Sequence, residues 1–415
     1  MKILQVSNAA QLGGAGIAAY RLHRGLKRLG EESMMLVNHQ RNKEHSIIGT
    51  IGSFDKIMAK VTPLLDRIPG RFSSIDMDRV SASWVPDRLI NRIKKISPDI
   101  LNLHWVNDGF MSIETLAKFE QPIVWTLHDM WAFSGGEHYV GDSIRYKEGY
   151  SKDNRPSGEN KLDVHRWIWA KKKKSWSKLA KKIVIAAPSE WMARCANESA
   201  LFKNFRVEVL PNGVDHERFH PVGRRIARSV LGLPQDKKLL LFGAGSATSD
   251  KRKGYHLLVE AISKLETQVA ATDYELIVFG ASSGEGKFSM KTHYLGMLAD
   301  EISLALVYAA ADVFVAPSLE DNLPNTVLES LACGTPVVAF NTGGMPDMIS
   351  HKTNGYLASA FDVDDLAKGM LWVLEDNKCW DNLSAAARDK VLKSFTLERS
   401  ATRYLSLYKE LLGRS

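Results

Sequence analysis

The stretch from Val313 to Glu329 reads VFVAPSLEDNLPNTVLE, and its two halves obey different rules. Val313-Phe-Val-Ala316 is short and apolar, the composition of a strand buried on both faces. Pro324 fits the first position of a helix, with Asn322 or Leu323 as the N-cap, and a helix is predicted over 325–333. A strand that passes through a polar turn straight into a helix is the repeating unit of an α/β fold. The turn also creates a candidate site. The amides of Asn325, Thr326 and Val327 are expected to lack helical partners and to face an anion at the positive end of the helix dipole. Asp321 precedes the helix and Glu329 lies inside it. At 1.5 Å of rise per residue, their backbones stand roughly 10 Å apart. That spacing suits two acids holding hydroxyls at opposite ends of an extended ligand and is too wide for a tight acid–base pair. The competing reading is ordinary N-cap chemistry with a solvated Glu329.

The same alternation runs outward from this stretch. Strands are predicted over 239–242, 276–279, 294–295 and 336–340, with helices over 256–265 and 302–310. Nearer the N-terminus, a separate series places strands over 3–6, 34–37, 100–104, 123–127 and 183–187, with a helix over 15–29. Between the two series, Leu210-Pro-Asn-Gly-Val-Asp215, with Pro221 close behind, has turn chemistry, and the interdomain hinge is expected there. The fold class is therefore α/β, with two Rossmann-like, doubly wound domains over 1–210 and 211–396. A last helix, 397–412, gathers Tyr404, Leu405, Leu407, Tyr408 and Leu411 on one side. In a two-domain clamp it returns to the first domain, so 397–415 is counted with it.

Composition narrows the class. A chain of 415 residues exceeds what one core usually serves. No apolar run approaches the ~18–20 residues of a membrane span, and the N-terminus has no signal-peptide pattern. A cytoplasmic protein is expected. Cys195, Cys333 and Cys379 are widely spaced, which excludes a disulfide framework, gives no support for a zinc site and predicts three buried thiols. The net charge of +8 points to partners bearing phosphate or anionic lipid. No nucleic-acid module is present, so nucleic acid is not an expected partner. Between Trp167 and Lys182, seven lysines interleave with Trp167, Trp169 and Trp176. This stretch is read either as a membrane-surface helix or as a solvated helix with its tryptophans in the core. The polar stretch 141–161 is expected to form a long loop.

Four further constellations fall at predicted strand ends. Gly13-Gly14-Ala15-Gly16 follows the first strand and opens a helix, which lets backbone approach a phosphate. It is not the dinucleotide fingerprint, and this argues against a dehydrogenase. Lys251-Arg252-Lys253-Gly254 could neutralise a departing phosphate. Its plain alternative is a solvated basic loop. His128-Asp129 leaves a strand at the edge where open α/β sheets bind ligands. His128 there is either a ligand contact or a satisfied structural histidine. Gly343-Gly344-Met345-Pro346 is another glycine turn at the same edge.

Together these motifs resemble the family-four retaining glycosyltransferases of the GT-B fold, in which two Rossmann-like domains face each other across a cleft. The resemblance is carried by Gly13 to Gly16, Pro211-Asn-Gly-Val-Asp215, Lys253-Gly254, Ala316-Pro-Ser318 and Asp321 to Glu329. Ala332-Cys-Gly-Thr-Pro336, Gly343-Gly344 and the Phe395, Arg399, Tyr404, Tyr408 ending extend it. In Asn322-Leu-Pro-Asn-Thr326 the chain looks closest to colanic-acid and exopolysaccharide transferases.

The resemblance implies a metal-independent transfer, without cofactor, of a hexose from a nucleotide sugar, either GDP-mannose or a UDP-hexose. The acceptor would be a saccharide, with a lipid-linked one expected in surface-polysaccharide synthesis. An epimerase or a glycoside phosphorylase on the same fold is the alternative. The resemblance further implies that Gly14 and Gly16 approach the donor diphosphate. Lys253 would neutralise it, and Asn325 and Thr326 would hold it beside Asn322. Glu329 would bind ribose hydroxyls, Asp321 hydroxyls of the transferred sugar, and His128 would lie near the reacting sugar. Gly296 and Met297 would line the base pocket. The chain departs from the family at three points. Asp321 stands where Glu is usual, and Glu320 could substitute for it. Ala247 replaces a common Arg, so Arg252 or Lys251 would supply that charge. The loop 135–155 has no cysteines, so no metal or disulfide is carried over there.

Overall fold

A computed structural model describes all residues except 51, 74–79, 160–161, 246, 285–287, 299, 376 and 415, and omits the side chains of 54, 271 and 377–379. The chain divides into two compact units, Met1–Pro211 with Ser400–Ser415, and Asn212–Arg399.

The first unit holds a seven-stranded parallel sheet. Its strands are β1 (Lys2–Val6), β2 (Glu32–Leu36), β3 (Ile47–Ile48), β4 (Ile100–Leu103), β5 (Ile123–Thr126), β6 (Ile183–Ala187) and β7 (Arg206–Val209). Their spatial order is β3-β2-β1-β4-β5-β6-β7. Helices α1 (Gly13–Arg28), α2 (Gly52–Asp66), α3 (Leu89–Ile96), α4 (Val164–Trp176) and α5 (Glu190–Glu198) belong to this unit. The strands alternate their side chains between two apolar layers. Leu4, Leu101, Leu103, Ile123 and Ile185 pack with α3, α4 and α5 on one face. Ile3, Ile100, Val124 and Val184 pack on the other with α1 and with Tyr404, Leu407 and Tyr408 near the C-terminus. Both faces are covered, which is why the strands read as continuous apolar runs.

The second unit repeats the plan with six parallel strands: β8 (Lys238–Gly243), β9 (Tyr274–Phe279), β10 (Lys291–Tyr294), β11 (Val313–Ala316), β12 (Val337–Phe340) and β13 (Gly355–Ala358). The order is β10-β9-β8-β11-β12-β13. Its helices are α6 (Arg224–Leu231), α7 (Tyr255–Glu266), α8 (Glu301–Ala310), α9 (Asn325–Ala332), α10 (Val363–Glu375) and α11 (Asn377–Ser394). Leu239, Leu241, Ile277 and Phe314 face α6, α8 and α9. Leu240, Phe242, Leu276 and Val315 face α7 and α10. The last helix, α12 (Leu397–Leu411), contributes its residues from Ser400 onward to the first unit. Among the described residues no helix is long and apolar enough to cross a membrane.

The predicted strands of both series are present within a few residues. Strands β3, β7 and β13 and helices α2, α3, α5, α6, α10 and α11 are not among those the sequence predicts. The loop from residue 141 is less irregular than expected. It contains a helical turn, Arg145–Glu148, and Arg145 ties it down through a 2.7 Å ion pair to Asp163, the N-cap of α4. Its residues 160 and 161 lie outside the described set. Cys195 and Cys333 are free, buried thiols, while the side chain of Cys379 lies outside the described residues.

Candidate functional site

Topology selects one edge of each sheet. In the second unit β8 lies between β9 and β11, so the connections leaving β8 and β11 diverge to opposite faces, opening a crevice at the carboxyl ends of these strands. The connection after β8 ends in a 3-10 turn, Lys251–Lys253, where Asp250 Oδ1 accepts from Arg252 N at 3.1 Å. Gly254 follows at φ 72°, and a Cβ there would stand 1.8 Å from Pro317 O. Only glycine permits this approach, which brings Lys253 against the turn after β11. Lys253 Nζ donates to Asp321 Oδ2 at 2.5 Å. Arg252 Nη1 lies 3.6 Å from the same oxygen and donates to Glu320 O at 2.9 Å.

Asp321 is gripped from its other side by the Gly343-Gly344 turn. Gly344 N donates to Asp321 O at 3.0 Å, and a Cβ on Gly343 (φ 55°) would stand 2.1 Å from that oxygen. Burial pushes the Asp321 carboxyl up, but Lys253 and then Arg252 outweigh it and hold the group below its ordinary value. Lys253, Ser318, Pro324 and Thr326 line one small concavity with Gly243 and Ala244. The structure thus joins Arg252, Lys253, Asp321 and Thr326 at one strand edge, and the basic turn is not a freely solvated loop.

Two expectations at this turn are corrected. Pro324 is the N-cap and not the first helical residue; its ψ of 126° keeps it extended. Its carbonyl accepts from Val327 N at 3.2 Å, so the Val327 amide is already used. The physical reason is a short first-turn bond that closes directly onto the proline carbonyl. Asn325 and Thr326 are the first two helical residues, both half-buried, and Asn322 N donates to Asp321 Oδ1 at 3.1 Å. Glu329 is not solvated either. It is 4% exposed and accepts from Tyr308 OH at 3.0 Å. Tyr308 was not singled out in the sequence, because nothing local ties α8 to α9. Gly296 and Met297 follow edge strand β10, with Gly296 O accepting from Gly280 N at 2.7 Å and Met297 71% exposed. They are not among the residues lining the Lys253 concavity.

In the first unit β1 occupies the equivalent switch position, between β2 and β4. Gly13 and Gly14 are exposed at the start of α1, whose N-cap Leu12 provides no side-chain cap. Gly16 is buried, and a Cβ there would approach Ala9 O to 2.9 Å. Asn8 N donates to Trp105 O at 2.8 Å, fastening this edge to the loop after β4. That loop begins with His104, which sequence reasoning passed over although it ends an apolar strand. His104 Nε2 lies 2.7 Å from Gln5 Oε1, and its Nδ1 lies 2.9 Å from His128 Nε2. One ring donates to the other across this contact, and the orientation of the Gln5 amide sets which. Burial holds both rings neutral. It pushes His104 well below its ordinary value and His128 down to about 4, against a small opposing effect of Asp129. Asp129 is itself fixed, accepting from Trp105 Nε1 at 2.9 Å and pairing with His138 at 2.6 Å. His128 and His104 line a second concavity with Asn107 and Thr126.

The basic stretch divides between two environments. Helix α4 ends at Trp176, short of Lys182, and Trp169 and Trp176 are buried. Lys172 is fully buried, its Nζ donating to Trp131 O and, at 3.1 Å, to Ser134 O. Trp167 alone of the three tryptophans is exposed. A single basic and aromatic outer face is therefore not formed; the core reading holds for two of the three rings, because Trp125, Trp131 and Phe202 pack edge-on or stacked against Trp176.

Comparison with known proteins follows the division into two units. Residues 12–218 match the family model described as Glycosyltransferase Family 4, and residues 237–376 match Glycosyl transferases group 1. A D-inositol 3-phosphate glycosyltransferase from Paenarthrobacter aurescens is 31% identical over 219 residues, covering 50% of this chain and 52% of that protein. The chain spans about half the length of the curated relatives it matches. Among solved structures, sucrose-phosphate synthase from Thermosynechococcus elongatus superposes with a TM-score of 0.70 at 18% identity, covering 100% of both chains. HepE from Anabaena, in complex with UDP-glucose, superposes at 0.63 and 15% identity, covering 99% of this chain and 100% of the other. These structural likenesses carry the fold.

Proposed function

The chain belongs to the family-four glycosyltransferases with the GT-B fold, and from that premise we propose that it moves a hexose from a nucleotide sugar to a saccharide acceptor with retention at the anomeric carbon. GDP-mannose or a UDP-hexose is the donor in this reading. The acceptor is lipid-linked, and the product enters a surface polysaccharide. The first unit takes the acceptor and the second takes the donor. The observation that carries the reading is the meeting of Lys253, Arg252 and Asp321 at the N-terminus of α9, on the switch-point edge of the second sheet. Two cations and a helix end converge where a diphosphate would leave, and the acid beside them can take sugar hydroxyls. HepE binds UDP-glucose on the same fold, which supports this class of donor.

In the reaction, the bond from the anomeric carbon to the diphosphate oxygen breaks while the acceptor hydroxyl oxygen bonds on the same face. The hydroxyl proton passes to the leaving diphosphate, so no protein nucleophile takes part. Lys253 and the first amides of α9 stabilise the departing charge, and the reading calls on no metal or cofactor. Glu329, oriented by Tyr308, holds the ribose. His128 Nε2 is committed to His104, so its Nδ1 is the nitrogen that meets a sugar hydroxyl.

The test is a thermal-shift screen against GDP, UDP, ADP and their sugar conjugates, followed by a product assay. One nucleotide series should raise the midpoint selectively, and Lys253→Ala should lower kcat by about 100-fold or more while leaving the fold intact. Near-normal turnover by a folded Lys253→Ala protein would sink the assignment.

A further inference from the structure

Helix α2 is built inside out. At 3.6 residues per turn, Ile57, Val61, Leu64 and Ile68 fall on one stripe roughly 60° wide. They are 59%, 37%, 67% and 36% exposed. On the opposite side Ala59, Thr62 and Asp66 are buried. A helix serving only its own unit would do the reverse, because burying an aliphatic side chain is favourable and burying a carboxyl group is costly. The stripe continues through Phe72 in the 3-10 turn Pro69–Phe72, and Leu162 lies beside it, its N–H donating to Phe72 O at 3.2 Å. Phe72 and Leu162 are 53% and 66% exposed.

Among the described residues of α2 and the turn, the exposed charges beside the stripe have one sign. Lys56, Lys60, Arg67 and Arg71 are exposed along one flank. Neither acid of the segment offsets them at the surface. Asp66 is buried, and Asp55 is half-buried, 4.0 Å from Arg88. Arg67 also pairs with Asp108 at 3.5 Å. A protein partner would ordinarily meet an apolar seam with mixed charges around it. An aliphatic stripe with a cationic flank fits a bilayer surface, where acyl chains take the stripe and lipid phosphates take the cations.

We propose that α2, continued by the turn Pro69–Phe72, is the surface by which this protein lies on an anionic membrane. The assignment replaces the stretch from Trp167 to Lys182, whose aromatic residues are largely committed to the core. It would bring the protein to a lipid-linked acceptor, but vesicle binding requires neither donor nor acceptor and is judged separately from the transferase reading.

The experiment is flotation of the full chain with vesicles of phosphatidylcholine alone and of phosphatidylcholine mixed with phosphatidylglycerol. The protein should float with the mixed vesicles only. Ile57→Glu with Leu64→Glu, and separately Lys56→Glu with Lys60→Glu, should each weaken that binding by roughly tenfold or more. Lys171→Glu with Lys174→Glu should leave it within about twofold. All substituted side chains are exposed or at the surface, so an unchanged melting midpoint and an unchanged nucleotide-induced shift establish that each variant folds and keeps its donor site. Failure of the wild-type chain to float with mixed vesicles overturns the proposal. So does undiminished flotation of the Ile57→Glu, Leu64→Glu variant, or a vesicle-free dimer that this variant abolishes.

Discussion

Gly254 shows how much depends on a missing Cβ. Its φ of 72° and its approach to Pro317 O both require glycine, and together they deliver Lys253 to Asp321. Gly254→Ala should therefore cost at least about 2 kcal/mol of stability and should also impair turnover, read as a lower melting midpoint together with a reduced kcat. A full recovery of activity at low temperature would separate the two effects and disprove the positional one. Tyr308 makes a second test. Tyr308→Phe removes the hydroxyl that donates to Glu329, at a cost of about 1 kcal/mol. If Glu329 grips the donor ribose, KM for the donor should rise severalfold with kcat little changed. A change confined to kcat would place Glu329 at the reacting centre instead.

At the scale of elements, α12 explains a set of polar residues inside otherwise apolar strands. Asn102 on β4 and Thr126 on β5 face the same side of the sheet as Ile100 and Val124. Asn102 Nδ2 donates to Tyr408 OH at 2.8 Å, Thr126 Oγ1 donates to Asn102 Oδ1 at 3.0 Å, and the Thr126 and Tyr404 hydroxyls are 3.0 Å apart. The helix thus satisfies groups that would be costly to bury alone. Tyr408→Phe leaves the Asn102 amide without that acceptor and should destabilise the protein by about 1–3 kcal/mol, measured by urea unfolding. The double variant Tyr408→Phe, Asn102→Leu should recover part of the loss. No recovery would mean that the two groups are not energetically coupled.

At the scale of the whole molecule, buried imidazoles set the response to acid. His23 sits between Ser33 and Ser46, and burial pushes it down from 6.5 to about 4, as burial also does to His128. His104 moves the same way. For each ring the unfolded chain binds its proton first as the pH falls, so stability is lost between about 6.5 and 4. The His23 shift alone corresponds to about 3 kcal/mol. His165 opposes this trend. Burial lowers it, but Glu137 at 3.2 Å prevails and raises it, which favours the folded state on the acid side. Asp66 opposes it as well, because burial raises its carboxyl to about 6 and the folded chain takes that proton first; three lowered rings against these two groups predict a net fall in melting midpoint from pH 7 to pH 5, smaller in His23→Gln. Lys172 acts at the other end. Burial pushes it down to about 7, so the unfolded chain binds the extra proton between about 7 and 10.5 and stability contributed by this group rises with pH there. Lys172→Met should flatten that rise, and an unchanged slope would show that the ammonium is better solvated than its surroundings imply.

The sequence by itself determined the two α/β series, the turn that divides them and the candidate residues at the strand ends. These follow from local rules: apolar runs make buried strands, glycine permits close approach, and proline with polar residues opens a helix. It also picked out Lys253, Arg252, Asp321 and Thr326, which the fold brings to one edge. Only the tertiary structure decided which way side chains face and what they touch. It supplied His104 as the partner of His128, Tyr308 as the partner of Glu329, and Tyr408 as the partner of Asn102, 306 residues away in sequence. It sent Trp169, Lys172 and Trp176 inward and turned the aliphatic stripe of α2 outward. Periodicity specifies that a helix has an apolar face; whether that face meets the core or the solvent depends on neighbours contributed by distant parts of the chain.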